Sequence, residues 1–211
     1  MNNQYLSIVG EFEYTKIIEK SKFICSIKGV ENEDEAKEFV SLIKKKHSLA
    51  THNCYAYIAD ENGSIQKFSD DGEPQGTAGL PMIESLKSSG LFKVACVVTR
   101  YFGGIKLGTG GLARAYSGTV KECINECCVI KNFVLSTVMQ VKISYDYYSK
   151  ILKLFENENV VLVATDFGDF VNVEIACKNE YLSTFINKLN DALSGKFDYK
   201  VMEEKYYSFK V

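Results

Sequence analysis

Residues 100–118 read RYFGGIKLGTGGLARAYSG, and five of the 15 glycines in this chain of 211 residues fall within nine of its positions. Glycine loses more conformational freedom on folding than any other residue, so the cluster requires either a tight bend or the close approach of a ligand. The apolar segment FKVACVVTR (92–100) leads into it, and the pattern over 109–128 is helical. The sequence therefore predicts a buried strand, a glycine-rich loop and the N-terminus of a helix.

The composition is that of a folded protein without a membrane segment. Apolar residues make up 46% of the chain, with 13 Phe and 13 Tyr, which is enough for one large core or two small ones. No segment approaches the roughly 18 apolar residues of a membrane span. The start, MNNQYLSIVGEFEYTK, has neither the basic nor the apolar region of a signal peptide. We therefore expect a cytoplasmic protein with no membrane partner.

The seven cysteines lie mostly in apolar segments rather than at the regular spacings of a disulfide framework. Three of them are close together in sequence, which raises the question of a zinc site. On a helix, however, Cys123 and Cys127 share one face while Cys128 points about 100° away, and no histidine is near. We expect reduced thiols in the core, with no metal and no cofactor.

The periodicity predicts an α+β protein of two domains, residues 1–131 and 132–211. The first contains strands over 22–30, 53–59, 64–68 and 92–100, with a hairpin pairing the second and third, and helices over 33–47, 76–90 and 109–128. The second contains a strand (134–145), a helix that Asp146 can cap (146–159), a hairpin about residues 167–169 (160–177), a helix (179–195) and a strand (199–211). This order, βαββαβ, is the ferredoxin-like arrangement, in which two helices cover one face of an antiparallel sheet.

The glycine-rich stretch is basic, although the chain as a whole has a net charge of −2. That net charge excludes the broad positive field of a bulk nucleic-acid binder, so any contact with nucleic acid has to be local. A helix N-terminus offers unpaired N–H donors, and glycines let an anion come close, so phosphate or carboxylate is the natural ligand. The aromatic side chains of Tyr101, Phe102 and Tyr116 offer stacking surfaces to bases. The candidate anion- or nucleic-acid-binding residues are Arg100, Gly103, Gly104, Lys106, Gly108, Thr109, Gly110, Gly111 and Arg114.

Two familiar phosphate-binding motifs fit this stretch poorly. The spacing from Gly103 to Gly108 is that of a P-loop, but Thr109-Gly110 follows where Lys-Ser/Thr is needed. Residues 108–113 match G-x-G-x-x-A, yet they begin well past the strand end, and the expected acid, Glu126, lies within the helix. We place the helix start near Thr109, whose hydroxyl can cap exposed N–H groups. A purely structural interpretation, in which the glycines only form a turn and let the helix pack, stays open.

An acidic turn, Asp70-Asp71-Gly72-Glu73-Pro74, brings three carboxylates within five residues. Carboxylates at this spacing can bind a hard cation or act as acid/base groups, so Asp70, Asp71 and Glu73 are catalytic candidates. Equally, they can complement the N-terminus of the helix that follows or pair with Arg100 or Arg114.

A fourth catalytic candidate is His52, in the segment ATHNCYAY (50–57). Cys54 is close by, but neighbouring positions on a strand are poorly placed for a thiol and its base. His52 is therefore interpreted as a polar contact in a cleft or as a structural histidine. The three polar segments 50–57, 69–81 and 100–118 all border strand ends, where loops can converge, and we predict that they form one surface.

Taken together, SKFIC (21–25), ATHNCYAY (50–57), SDDGEPQGTAGLP (69–81) and VVTRYFGGIKLGTGGLARAYS (97–117) resemble the signature of the IMPACT family. The resemblance covers the first domain nearly end to end, and the second domain is similar in position and pattern to the extra C-terminal domain of the bacterial branch. It implies a first domain with the fold of ribosomal protein S5 domain 2 and of elongation factor G domain IV. It implies a ferredoxin-like second domain, similar to domain V of that factor.

Eukaryotic relatives regulate translation by protein–protein contact, but they do so through an additional N-terminal domain, so that role is not carried over. For this chain the resemblance implies contact with RNA or the ribosome. The leading hypothesis is a non-enzymatic protein that binds RNA or the ribosome through phosphate contacts of the basic glycine-rich stretch. Small-molecule kinases of the GHMP type share the first domain's fold, so an enzyme or sensor for a phosphorylated small molecule is the second hypothesis. A protein-interaction module is the third.

Overall fold

The computed structural model describes residues 3–209, and the chain divides into two compact units at Lys131 and Asn132. In each unit helices pack on an antiparallel sheet, and each unit has its own clusters of buried apolar side chains. The predicted α+β class is therefore confirmed. The first unit holds strands β1 (Gln4–Ile8), β2 (Glu11–Ile18), β3 (Ser21–Gly29), β4 (His52–Ile58), β5 (Gln66–Ser69) and β6 (Val94–Tyr101), with helices α1 (Glu33–Lys46), α2 (Gly79–Ser88) and α3 (Gly108–Cys127).

The sheet of the first unit has the strand order β2-β3-β6-β4-β5, so β6 is central. Its sequence, VACVVTRY, is buried except at the last residue because helices cover both faces of the sheet. Val97 belongs to the apolar cluster beneath α1, whereas Val98 packs in the cluster with α2 and α3. The predicted buried strand is confirmed, and it ends at the glycine-rich loop.

The sequence of helix α1 explains its N-terminal cap, the charges in its first and last turns and its buried face. Asn32 caps it, with Oδ1 accepting the Glu35 N–H at 3.0 Å. Acidic residues fill the first turn and lysines the last, as the helix dipole favours. The apolar stripe that sequence periodicity predicts is buried; its members are Ala36, Phe39, Val40 and Ile43.

Two strands of the first unit were not predicted. Residues 1–20 were assigned no element, but β1 and β2 lie there, and β2 pairs with β3 along its whole length. The segment EFEYTKII alternates in burial, with Phe12, Tyr14 and Ile18 packed against the core, so a two-residue period was available as a signal. The predicted hairpin of β4 with β5 is confirmed, while the helix predicted from residue 76 begins only at Gly79.

The second unit has the predicted order β-α-β-β-α-β. Strand β7 is flanked by β10 and β9, and β8 lies beyond β9. The predicted hairpin about residues 167–169 is confirmed. The elements are β7 (Ile130–Ile143), α4 (Tyr148–Leu154), β8 (Val160–Phe167), β9 (Val171–Lys178), α5 (Leu182–Leu193) and β10 (Asp198–Ser208).

Helices α4 and α5 cover one face of this sheet. Met139 and Val141 of β7 pack with Leu189 of α5 in the core, while the intervening Gln140 is exposed. Both helices are shorter than predicted. They start late because 3-10 turns over Tyr145–Tyr147 and Asn179–Tyr181 replace their first residues, and they end early, at Leu154 and Leu193. Asp146 makes no side-chain cap, contrary to expectation.

The last predicted strand, 199–211, extends past the described residues, since 210 and 211 lie outside them. None of the helices in the described part of the chain is long and apolar enough to cross a membrane.

Candidate functional site

Three loops of the first unit meet at a cleft of about 450 Å³. Strands β4 and β6 are antiparallel neighbours that pair His52 with Arg100, so the start of one lies beside the end of the other. The acidic turn and the glycine-rich loop complete the walls, and the structure thus brings together the three segments that the sequence predicted to share one surface. The lining residues are Thr51, His52, Glu73, Pro74, Arg100, Phe102, Lys106, Leu107, Gly108, Thr109 and Leu112.

Asp70 lies behind the cleft and holds the approach to α2. Its carboxylate accepts the N–H groups of Gly76, Ala78 and Gly79 at 2.8–2.9 Å. Burial alone would raise the pKa of Asp70, but these three donors hold it below its ordinary value. The interpretation in which an acidic side chain complements the α2 N-terminus is confirmed for this residue.

Asp71 also bonds inside the protein and positions His52. Its carboxylate binds Lys44 Nζ at 2.6 Å and accepts the Asn53 N–H at 2.7 Å. Burial would raise the pKa of Asp71, yet Lys44 and the backbone donor lower it below its ordinary value. The Asp71 backbone oxygen lies 2.9 Å from His52 Nδ1. Because a carbonyl oxygen can only accept, Nδ1 carries the proton.

Glu73 and Arg100 form a buried ion pair at the floor of the cleft. Arg100 Nη1 donates to Glu73 Oε1 at 2.7 Å, and the Tyr116 hydroxyl donates to the same oxygen at 2.8 Å. Only 3% of the Glu73 side chain and 6% of the Arg100 side chain is exposed. The other carboxylate oxygen, Oε2, lies 3.9 Å from His52 Nε2, and the buried Arg100 Nε has no partner among the described residues. Part of this buried polar network therefore remains available to a ligand.

Cys54 is not arranged as a nucleophile. Burial raises the pKa of its thiol to about 12, so the thiol stays protonated at neutral pH. Its Sγ donates to the Asp70 backbone oxygen at 2.9 Å, away from His52. The pairing of Cys54 with a histidine base, which the sequence analysis disfavoured, is absent from the described residues.

The glycines of the loop have different structural roles. A Cβ on Gly103 would lie 2.0 Å from the Lys20 backbone carbon, so the loop can pass the β2–β3 turn only without a side chain. Gly104 and Gly108 have φ of +87° and +69°, which L side chains rarely adopt. Gly110 has no such requirement, since its Cβ would meet only the end of Arg114 at 3.7 Å. Backbone geometry therefore explains part of the cluster and leaves Gly110 unexplained.

Helix α3 begins at Gly108, one residue before the predicted start, and Thr109 lies in its first turn rather than at the cap. The N-cap residue is Leu107, which makes no side-chain hydrogen bond to the helix. The first turn contains no acidic residue. The expectation that the Thr109 hydroxyl caps the helix is therefore wrong, and the first N–H groups of α3 face the side of the cleft without a side-chain acceptor.

The two exposed cations of the stretch lie on both sides of the loop. Lys106 lines the cleft and also an adjoining groove of about 570 Å³, whereas Arg114 lines only the groove. Lys16 and Glu19 lie in that groove as well, but Lys16 is paired with Glu122. No ion pair is seen for Lys106 or Arg114 within residues 3–209. Gly111 lines the groove, while Gly103, Gly104 and Gly110 line neither depression.

Sequence reasoning missed several residues that build the cleft. Thr51 Oγ1 accepts the Phe102 N–H at 3.1 Å and ties β4 to the glycine-rich loop. Ser21 does the same from β3, since its hydroxyl accepts the Gly103 N–H at 3.1 Å and lies 3.4 Å from Arg100 Nη2. A serine or threonine is a weak sequence signal for such a contact, because strand pairing decides which backbone N–H its hydroxyl meets. No group of three or more His, Cys, Asp or Glu residues in the described part of the chain is placed to hold a metal ion.

Fold and cleft together define a two-unit α+β protein with a glycine-rich, partly basic cleft in its N-terminal unit. Family models agree with this division: the Impact N-terminal domain matches residues 19–124, and a domain of unknown function, DUF1949, matches residues 141–196. The IMPACT family member YvyE of Bacillus subtilis is 41% identical over 206 residues, which covers 98% of this chain and 94% of YvyE.

Two further comparisons cover most of the chain. YigZ, an IMPACT family member of Escherichia coli, is 34% identical over 189 residues, or 89% of this chain and 92% of YigZ. A crystal structure described as that of a hypothetical protein aligns with a TM-score of 0.63 and 31% identity, over 97% of this chain and 100% of the other. The chain therefore belongs to the IMPACT family, in the bacterial group of YvyE and YigZ, as the sequence motifs predicted.

Proposed function

We propose that this protein binds RNA or the ribosome through phosphate contacts at the glycine-rich rim of the cleft, and thereby acts in translation. The observation that carries the proposal is the N-terminus of α3, which has no side-chain cap and no acid in its first turn and lies between Lys106 and Arg114. Backbone N–H groups, a helix dipole and two unpaired cations together favour a phosphate.

Arg100 has a different role in this proposal from the other basic residues. Glu73 already compensates its charge, and its guanidinium is almost fully buried. We expect Arg100 to hold the cleft floor in place, while Lys106 and Arg114 neutralise phosphate. Because only two mobile cations take part, binding should be local and moderate in strength, which suits a chain with a net charge of −2.

One aromatic ring of the stretch is available for stacking. Phe102 is 46% exposed and lines the cleft, whereas Tyr116 is fully buried and Tyr101 contacts His47. The Arg100 guanidinium carbon lies 5.4 Å from the centre of the Phe102 ring, which orients it. Stacking of a base on such a ring tolerates different sequences and adds to phosphate contacts in single-strand binding.

The folds of the two units also support the proposal. The β10-β7-β9-β8 order with two helices on one face supports a ferredoxin-like assignment for the second unit. For the first unit we infer the ribosomal protein S5 domain 2 fold, on the resemblance of its motifs. Both folds occur in elongation factor G, but a shared fold alone does not establish a shared role.

The test is the binding of a short single-stranded RNA from about 50 to about 200 mM salt, because phosphate contacts weaken as counterions compete. The Lys106→Ala/Arg114→Ala variant should bind more weakly, and its log–log salt slope should be shallower by about 1.4, at about 0.7 per lost phosphate contact. The control is Lys45→Ala/Lys67→Ala, which removes two exposed lysines of the first unit that line neither the cleft nor the groove. Wild-type binding that is absent or independent of salt would overturn the proposal.

A second candidate function is the binding of a phosphorylated small molecule, as a sensor or an enzyme. The observation in its favour is the size of the cleft, since about 450 Å³ lies within the roughly 300–1,000 Å³ of small-ligand sites. A rise in melting temperature with sugar phosphates, in a protein that does not bind RNA, would favour it. An unchanged melting temperature across sugar phosphates, nucleotides and divalent ions would exclude it.

A further inference from the structure

We propose that the cleft holds a single nucleotide of the bound strand and recognises an amino group on its base through His52 Nε2 and Glu73 Oε2. The inference rests on the proposed function and adds a ligand class to it, namely a nucleotide with an exocyclic amine.

The backbone fixes which nitrogen of His52 accepts. Nδ1 lies 2.9 Å from the Asp71 carbonyl oxygen and must donate to it. In the neutral ring Nε2 then carries a lone pair. In this tautomer Nε2 is an acceptor, and His52 lines the cleft.

Glu73 provides a second acceptor at the same place. Both of its donors, Arg100 and Tyr116, bond to Oε1, and Oε2 accepts no hydrogen bond from residues 3–209. The Glu73 side chain is nine-tenths buried or more, with 3% exposed, and lines the cleft. Because Oε2 accepts no hydrogen bond from the described residues, a donor on a ligand can bind to it.

The separation of the two acceptors specifies the group that fits. Nε2 and Oε2 are 3.9 Å apart, so one atom can lie within about 2.9 Å of both. That atom must donate two hydrogens, one to each acceptor. An amino group does this, whereas a carbonyl has no hydrogen to donate and a hydroxyl has only one.

The rest of the cleft accommodates the other parts of a nucleotide. Phe102, Leu112 and Pro74 supply apolar and aromatic surface for a base. Gly108 and Thr109 place the N-terminus of α3 at the same cleft, with Lys106 beside it, which suits the phosphate. Two acceptors for an amine, a stacking surface and an anion site in one cleft are the complement of a nucleotide whose base has an exocyclic amine. Adenylate, cytidylate and guanylate have this group, and uridylate lacks it.

The test compares adenosine 5′-monophosphate with inosine 5′-monophosphate, which differ in having an amine or a carbonyl at the same ring position. Dissociation constants are measured by calorimetry on the full chain. The wild type should bind the adenosine compound roughly 3- to 10-fold more tightly, since one or two hydrogen bonds distinguish the ligands. His52→Ala should remove that preference while still binding both, because the phosphate contacts remain. His47→Ala, which alters the other histidine outside the cleft, should keep the preference.

The outcomes separate this inference from the proposed function. Equal affinity of the wild type for the two nucleotides, or a preference that persists in His52→Ala, would overturn amine recognition. Salt-dependent RNA binding that is lost in Lys106→Ala/Arg114→Ala would still support the proposed function in that case. Selective binding of the adenosine compound by a protein that fails to bind RNA would support the cleft assignment and overturn the proposed function. Failure of both nucleotides to bind would overturn the nucleotide cleft.

Discussion

The two units of this protein use an antiparallel sheet in different ways. In the first unit helices cover both faces of the sheet, and a buried ion pair, Arg100 with Glu73, lies where the central strand ends. In the second unit α4 and α5 cover one face, and the buried polar residues described there are Ser136 and Thr137. The first unit therefore carries charge in its interior, whereas the second is built on apolar burial.

This difference indicates where function resides. Burying charged groups costs free energy unless they are paired. A buried ion pair therefore points to a place where charged side chains position other functional residues. The network of Arg100, Glu73 and Tyr116 occurs at the cleft that the polar loops form, and His52 points a nitrogen to the same carboxylate. Substitutions in the two units therefore test this contrast.

Arg100→Ala should destabilise the first unit most. The substitution leaves Glu73 buried without its cation, and removing one partner of a buried pair costs about 3–5 kcal/mol. Urea unfolding at neutral pH measures the loss. Arg114→Ala, the exposed arginine of the same stretch, is the control and should change stability by less than about 0.5 kcal/mol. Equal effects of the two substitutions would show that the buried pair does not support the fold.

Gly103→Ala should be the next largest effect. Its Cβ would lie 2.0 Å from the Lys20 backbone carbon, so the loop or the β2–β3 turn must move, at about 1–3 kcal/mol. Gly110→Ala is the matched control, because its Cβ meets only the flexible end of Arg114 and alanine favours the helix. Calorimetry should show a lower melting temperature for the first variant and an unchanged or higher one for the second. A stable Gly103→Ala protein would contradict the close approach.

Asp70→Asn should cost about 1 kcal/mol at pH 7, as the loss of a charged cap typically does. The folded-state pKa of Asp70 is lowered, so its stabilisation is present above the unfolded value, near 3.8, and is lost as pH falls through the folded pKa. The difference in unfolding free energy between wild type and variant should therefore shrink below about pH 4. Asp169→Asn, exposed in the β8–β9 turn, should show no such difference. A difference in unfolding free energy that does not change with pH would contradict the stabilising role of the Asp70 charge.

Gln140→Ala should have the smallest effect, within about 0.5 kcal/mol, because its side chain is exposed on the second unit. Its neighbour Met139 faces the helices, and Met139→Ala should cost about 2–5 kcal/mol. Denaturant unfolding of both variants measures the contrast between the two faces of β7. A loss of more than about 1 kcal/mol in unfolding free energy for Gln140→Ala would contradict the exposure of this side chain.

Much of the fold could be predicted from sequence because its signals are local. The apolar run before the glycines, the α1 stripe and the hairpin of β8 with β9 each depend on neighbouring residues. Strand β2 was missed although its residues alternate, since it is an edge strand whose partner, β3, supplies its pairing. Helix α4 differs from its prediction at both ends, since a 3-10 turn replaces its first residues and it ends at Leu154.

The sequence predicted which segments form the site better than it predicted the hydrogen bonds between their residues. The loops that carry His52, Glu73 and Arg100 were expected to converge, and pairing between the acidic turn and an arginine was one of the alternatives. Sequence does not indicate that both donors use the same oxygen of Glu73, because the acidic turn, β6 and α3 that carry the three residues meet only in the tertiary structure. The contact of Gly103 with Lys20 is equally a product of tertiary structure.

The central claim is that phosphate binds at the N-terminus of α3. Nuclear magnetic resonance of the isotopically labelled full chain tests it most directly, by titration with a short single-stranded RNA while backbone amide signals are followed. We predict the largest shifts at Gly108, Thr109, Gly110 and Gly111, with smaller ones at Phe102 and Lys106, and their loss at high salt. Shifts confined to other surfaces, with these amides unchanged at saturation, would contradict the account.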